Sequence, residues 1–84
     1  MFLVKEVGEV EHYFTNINVA AVKLKDSLKV GDKIKIKGAT TDFEQAIDSM
    51  QIEKDSVEKA GNGDEIGIKV KNRVREGDVV YKLE

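Results

Sequence analysis

Apolar and polar residues alternate with a period of two wherever the pattern is clear, the signature of strands that bury one face. Lys33-Ile34-Lys35-Ile36-Lys37 is the cleanest case, with isoleucine to one side and lysine to the other. Residues 19–25 set Ala20, Val22 and Leu24 opposite Ala21, Lys23 and Lys25, and residues 65–71 set Ile66, Ile68 and Val70 on one face. Val4–Phe14 predicts a first strand in which Val7 and Val10 fall out of phase around Gly8, so a bulge or bend is expected there. Residues 78–83 predict a closing strand.

Between these strands lie turn signals. Thr15-Asn16-Ile17-Asn18 is a polar turn with two asparagines that tolerate left-handed backbone. Residues 38–42 predict a loop, and residues 54–61 are polar, with Val57 and Ala60 as the apolar points. Three pieces share a pattern: Gly31-Asp32-Lys33-Ile34, Gly63-Asp64-Glu65-Ile66 and Gly77-Asp78-Val79-Val80. In each, glycine supplies the positive φ of a tight turn and the aspartate carboxylate can accept from a nearby backbone N–H. Their spacings of 32 and 14 residues are unequal, so they are recurrent strand entries and not a tandem repeat. Three aspartates around a divalent cation is the competing reading, and turn chemistry is the simpler one. Residues 43–52 stay open on local pattern. Phe43, Ala46, Ile47 and Met50 fit a helical face, while Ile47, Met50 and Ile52 fit a strand with a bulge near Asp48-Ser49.

With 84 residues and 9.4 kDa, the chain has room for one small domain, residues 1–84. Its charge is nearly balanced, 14 Lys+Arg against 16 Asp+Glu for a net of −2. That balance argues against generic coating of duplex DNA, which needs a strongly basic total to displace counterions. Cysteine is absent, which removes disulfides, thiolate nucleophiles and zinc ribbons. A metal site would have to be built from oxygen ligands, because His12 is the one histidine. Lacking a second histidine or motif spacing, His12 reads as a strand-surface residue. Gly61-Asn62-Gly63 lacks the Lys-Ser/Thr of a phosphate loop, and Ser27, Ser49 and Ser56 sit in no elbow motif, so no enzymatic role and no cofactor is expected. No stretch approaches the roughly 18 apolar residues of a membrane span and no basic-then-apolar leader opens the chain, so a cytoplasmic, membrane-free protein is expected.

The basic residues are unevenly spread. Lys69, Lys71, Arg73 and Arg75 fall within seven residues, alternating with Val70, Asn72 and Val74. Lys23 and Lys25 would share a face with Lys33, Lys35 and Lys37 if their strands formed a hairpin. Either set is a candidate phosphate-tracking surface, although interleaved aromatics for base stacking are missing. Conversely, Asp42, Glu44, Asp48, Glu53, Asp55 and Glu58 stand against Lys54 alone, so a basic face and an acidic face would result if these segments lay on opposite sides.

From Leu28 onward the order of signals resembles a known family. Leu28-Lys29-Val30-Gly31-Asp32-Lys33-Ile34-Lys35-Ile36 is followed by Ser49-Met50-Gln51-Ile52-Glu53 and Val57-Glu58-Lys59-Ala60. Then come Gly63-Asp64-Glu65-Ile66-Gly67-Ile68 and Val74-Arg75-Glu76-Gly77-Asp78-Val79-Val80. This series resembles the second domain of translational GTPases such as elongation factor Tu. It is still more similar to the small barrel at the C-terminus of collagenase-like peptidase family proteins, some of which act in tRNA and rRNA hydroxylation. Short archaeal proteins made of this barrel alone look similar too. The resemblance covers residues 8–83 and implies an all-β, six-stranded antiparallel Greek-key barrel, which assigns residues 43–53 to strand. It implies no GTPase activity, because the GTPase domain is missing. The function it implies is a non-catalytic, translation-associated module binding tRNA, rRNA or other RNA, and the basic residues noted above, Lys69, Lys71, Arg73, Arg75 and the lysines at 23, 25, 33, 35 and 37, are the candidate contacts. The alternative is a protein-interaction barrel serving as a detached subunit or adaptor for a separately encoded enzyme.

Overall fold

A computed structural model describes residues 4–83, and among these residues all regular structure is β. Ten strands follow one another: β1 Val4–Phe14, β2 Val19–Leu24, β3 Leu28–Lys29, β4 Lys33–Lys37, β5 Asp42–Ala46, β6 Met50–Ile52, β7 Asp55–Val57, β8 Lys59–Ala60, β9 Glu65–Lys69 and β10 Val79–Leu83. Eight form one antiparallel sheet in the order β5-β4-β10-β1-β2-β9-β6-β7, and β3 pairs with β8 in a separate ribbon. The period-two pattern is realised as predicted: Ala20, Val22, Leu24, Ile34, Ile36, Ile66 and Ile68 all point into the core, together with Val7, Val10, Leu28, Ile47, Met50 and Val80.

The bulge expected at Gly8 is present. Register against β10 shifts between Glu6 and Gly8, and register against β2 shifts again between Val10 and His12. Gly8 is required there because a Cβ would meet the Lys23 carbonyl oxygen and Val22 Cγ1, both at 2.8 Å. The two slips let Val7 and Val10, three residues apart, both face inward.

Residues 43–53 do not make one strand. The chain extends over β5, breaks at 47–49, and extends again over β6, which turns tightly into β7. The helical alternative is not realised. Glu53 and Lys54 form the two-residue turn of the β6–β7 hairpin, with φ of 51° and 71°. Both dihedrals lie in the left-handed region that such a turn requires and that Asn-Gly normally occupies. The polar stretch 54–61 thus carries the short strands β7 and β8, which its composition did not announce.

The ladder is also not the closed six-stranded barrel that the resemblance implied. It ends in β5 on one side and β7 on the other. The sheet instead curls until β5 reaches the segment leaving β9 by a side chain: Gln45 Nε2 donates to the Lys69 carbonyl at 2.9 Å, and the Lys71 N–H donates to Gln45 Oε1 at 2.9 Å.

The three Gly-Asp pieces share one hydrogen-bond set. Gly31, Gly63 and Gly77 have φ of 97°, 91° and 92°, the third position of a type II turn. In each turn the aspartate N–H donates to the carbonyl three residues back, on Lys29, Gly61 and Arg75. The aspartate Oδ2 accepts the N–H of that same residue, at 3.0, 2.9 and 2.8 Å respectively. Each turn then grips one buried residue from a distant segment. Gly31 N–H donates to the Ile47 carbonyl and Ile47 N–H to the Asp32 carbonyl; Gly63 and Asp64 hold Leu24 in the same way, and Gly77 and Asp78 hold Val10. All six of these bonds fall between 2.8 and 2.9 Å. The turn reading of the three aspartates therefore holds, and among the described residues no cluster of three or more acidic, histidine or cysteine side chains is placed to bind a metal.

Asp78 is the buried member, 5% exposed, and its other oxygen lies where a Cβ on Gly38 would stand, 1.9 Å away. Asp78→Ala is expected to lower stability by about 1–3 kcal/mol, since the part-buried Arg75 N–H loses its partner and the buried carboxylate leaves a gap beside Gly38. Asp32→Ala and Asp64→Ala, at more exposed turns, should lose less. Gly38→Ala should fall in the same range as Asp78→Ala by displacing that carboxylate. Urea midpoints of the four variants check this ranking. Replacing Glu53 by Asn and Lys54 by Gly together is expected to raise stability by about 1 kcal/mol, relieving the left-handed strain, and the same titration reads it.

Candidate functional site

Antiparallel partners point to the same side of a sheet, so register alone assembles the outer face of β1, β2, β9 and β6. His12 pairs with Ala21, Ala21 with Gly67, and Gly67 with Gln51, making one row across four strands. The middle of that row is alanine and glycine, and the sheet surface sinks there. Val19 leans over the depression, its Cγ1 3.2 Å from where a Cβ on Gly67 would be. Beside it stand Phe14, which pairs with Val19, and Ile17 of the β1–β2 turn. Both are conspicuously exposed for large apolar side chains, 46% and 59%. Ile52 and the strained Glu53-Lys54 turn form the opposite wall. The result is an open trough of about 690 Å³ with an apolar floor.

Its edge is acidic. Glu11, Glu53, Asp64 and Glu65 line it against a single lysine, Lys54. The Asp64 carboxylate is committed to its turn, and Glu65 faces Lys23 Nζ at 3.6 Å. Glu11 and Glu53 make no ion pair among the described residues. The arrangement offers apolar contact area and negative potential, and no assembled nucleophile, base or metal cradle is found among the described residues.

The basic residues singled out from sequence do not come together. β2 and β4 are separated by β1 and β10, so the hairpin that would unite Lys23 and Lys25 with Lys33, Lys35 and Lys37 does not exist. Lys25 pairs with Glu6, Lys23 with Glu65 and Lys35 with Asp42. Lys35 and Lys37 also stand directly opposite Glu44 and Asp42 of β5, so acidic and basic residues interleave on that sheet instead of dividing into two faces. Lys69, Lys71, Arg73 and Arg75 are exposed, and their spacing reflects Val70 and Val74 being buried between them. Lys69 and Lys71 border one shallow hollow with Gln45 and Asp48; Arg73 and Arg75 border another with His12, Tyr13 and Glu76. His12 lies edge-on to Phe14, with ring centroids 4.5 Å apart, and its Nδ1 is 3.5 Å from a Glu76 carboxylate oxygen. It is a surface residue, as its isolation in the sequence suggested.

The architecture and this outer face define an all-β domain with an open, apolar-floored trough on one face of its sheet. Comparison with known proteins places it more closely, although no family model matches the chain. It is 43% identical over 79 residues to an uncharacterized protease of Methanocaldococcus jannaschii, and 36% identical over 80 residues to a collagenase of Porphyromonas gingivalis. Each match takes in 93% of this chain but only 19% and 22% of those proteins, so the chain spans about one fifth of the length of the curated relatives it matches. Its fold is that of the C-terminal domain of a Geobacillus thermoleovorans putative U32 peptidase, with a TM-score of 0.87 at 21% identity over 93% of this chain and 91% of that one. The selenomethionine variant of that domain superposes with the same TM-score at 20% identity, over 90% of this chain and 96% of that one. These relatives support the resemblance to collagenase-like peptidases and correct the translational one. The proteins that share this chain's sequence are named as proteases, not elongation factors, so the translation assignment is withdrawn. Among the described residues no helix is long and apolar enough to cross a membrane.

The Gln45 bridge holds the base of the 69–75 segment. Gln45→Ala is expected to lower stability by about 1 kcal/mol and to speed amide hydrogen exchange at Lys71 selectively, leaving core amides such as Ile36 unchanged at the level of local opening.

Proposed function

We propose that this domain is a non-catalytic protein-interaction module that serves a U32-type or collagenase-type peptidase as a subunit or adaptor. The observation that carries this reading is the 43% identity to one fifth of a much longer protein named as a protease. A unit that forms a minor part of such a chain can supply a docking surface while the remaining four fifths supply the chemistry. The exposed Phe14 and Ile17 beside a trough of about 690 Å³ give this chain a surface suited to that task. An RNA-binding role has less support: the nine basic residues considered for it are dispersed, and three of them are paired with carboxylates.

Affinity capture with the tagged full chain, from extract of its source organism, is expected to enrich a U32-type or collagenase-type peptidase identified by mass spectrometry. Filling the trough with Gly67→Leu should reduce that enrichment at least about tenfold, equivalent to 1.4 kcal/mol. Capture of no such peptidase overturns the reading.

A further inference from the structure

The docking surface carries information about what docks. Its floor is apolar, so the occupant must bring apolar side chains to cover Ala21, Gly67 and Phe14. Its edge carries four carboxylates against Lys54, with Lys23 beside one of them, Glu65, so negative charge is in excess around the floor and disfavours a phosphate backbone or an acidic segment. An independent feature points the same way. The Glu53-Lys54 turn holds two long charged side chains in the left-handed backbone region that L side chains disfavour and that Asn-Gly adopts more readily. Strain retained at the edge of a concave surface points to a use for the side chains it displays. Glu53 is one of the two edge carboxylates that make no ion pair among the described residues, and it stands in this turn.

Resting on the interaction reading above, we infer that the trough between Phe14 and the Glu53-Lys54 turn binds a peptide segment of the partner that combines apolar residues with lysine or arginine. Its apolar side chains enter over Gly67, and its cations meet Glu11 and Glu53. A second copy of this chain is disfavoured as the occupant, because two facing troughs would oppose their acidic edges.

Titration of the isotope-labelled full chain with synthetic nine-residue peptides, followed by amide chemical shifts at about 20 mM salt where surface charge is weakly screened, tests this directly. The first peptide contains three leucines, three lysines and three serines; a second has glutamate for lysine, and a third has serine for leucine. The lysine-leucine peptide is expected to shift the amides of Phe14, Ile17, Ala21, Gln51 and Gly67, and to bind at least about tenfold more tightly than either control. Combined Glu11→Lys and Glu53→Lys should reverse the preference between lysine and glutamate peptides. Both positions are exposed, so the fold is retained, and this pair of substitutions decides the matter even where Gly67→Leu does not fold. Equal affinity for the three peptides, no binding at millimolar concentration, or shifts confined to residues 69–75 overturns the inference. So does concentration-dependent dimerisation that shifts the same trough amides, since it would seat a second copy there. Peptidase capture that persists while the peptide test fails leaves the interaction reading standing with the partner docked elsewhere, whereas failure of capture removes both.

Discussion

Everything in this sheet hangs on three small turns that each reach out and hold a residue from elsewhere. A type II turn with glycine at its third position and aspartate at its fourth satisfies the N–H and C=O of its first residue and the N–H of its aspartate within itself. It also presents one further donor and one further acceptor outward. Those two groups meet the backbone of Ile47, Leu24 or Val10, all buried. Backbone polar groups beside a core must find partners. The strands are short, mostly two to six residues, so their ladders alone leave many ends open. By joining the start of β4, β9 or β10 to a buried residue elsewhere in the chain, each turn sets where a strand begins and which residues face inward. A one-residue slip would turn every side chain of that strand to the wrong face.

That constraint separates two kinds of surface. The inner one is fixed by the grip on Val10, Leu24 and Ile47, leaving the outer side of the same strands free to vary in composition. On β2 and β9 the freedom is used to place small residues, Ala21 and Gly67, in register at the centre, with Phe14 and Ile17 raised beside them. A depression in a sheet needs no loop insertion if two paired positions are simply left without bulk. The geometry combines a fixed interior with a shaped exterior, in a sequence that is similar to about one fifth of proteins named as a protease and a collagenase.

How much of this was legible in the sequence depends on how far apart the cooperating residues lie. Alternation at Lys33–Lys37, the phase slip at Gly8 and the role of each Gly-Asp pair are local, and all were readable. The grip on Ile47, Leu24 and Val10 was not, because it joins segments up to 68 residues apart, from Val10 to Asp78, by backbone groups that leave no mark on residue type. Strands β7 and β8 were missed because they are three and two residues long and each turns a single side chain, Val57 or Ala60, toward the core, too few to show alternation. The supposed lysine hairpin failed for a related reason: pattern tells which face a lysine occupies but not which strand lies next to it, and β1 and β10 intervene. The trough is the least legible feature. Gly67 carries no mark beyond its place in an alternating segment and Ile17 sits in a polar turn, and only register brings them to one place.

Val4 pairs with Leu83, so the two ends of the described chain lie side by side on adjacent strands. Phe14 stands at the other end of β1, ten residues along, roughly 30 Å away by the rise of an extended strand. A larger body fused to either end, or holding the domain by both, would be attached at one pole and would leave the opposite pole open to solvent. The paired ends and the Phe14 side of the trough thus lie at opposite ends of β1, so an attachment at the former keeps clear of the latter.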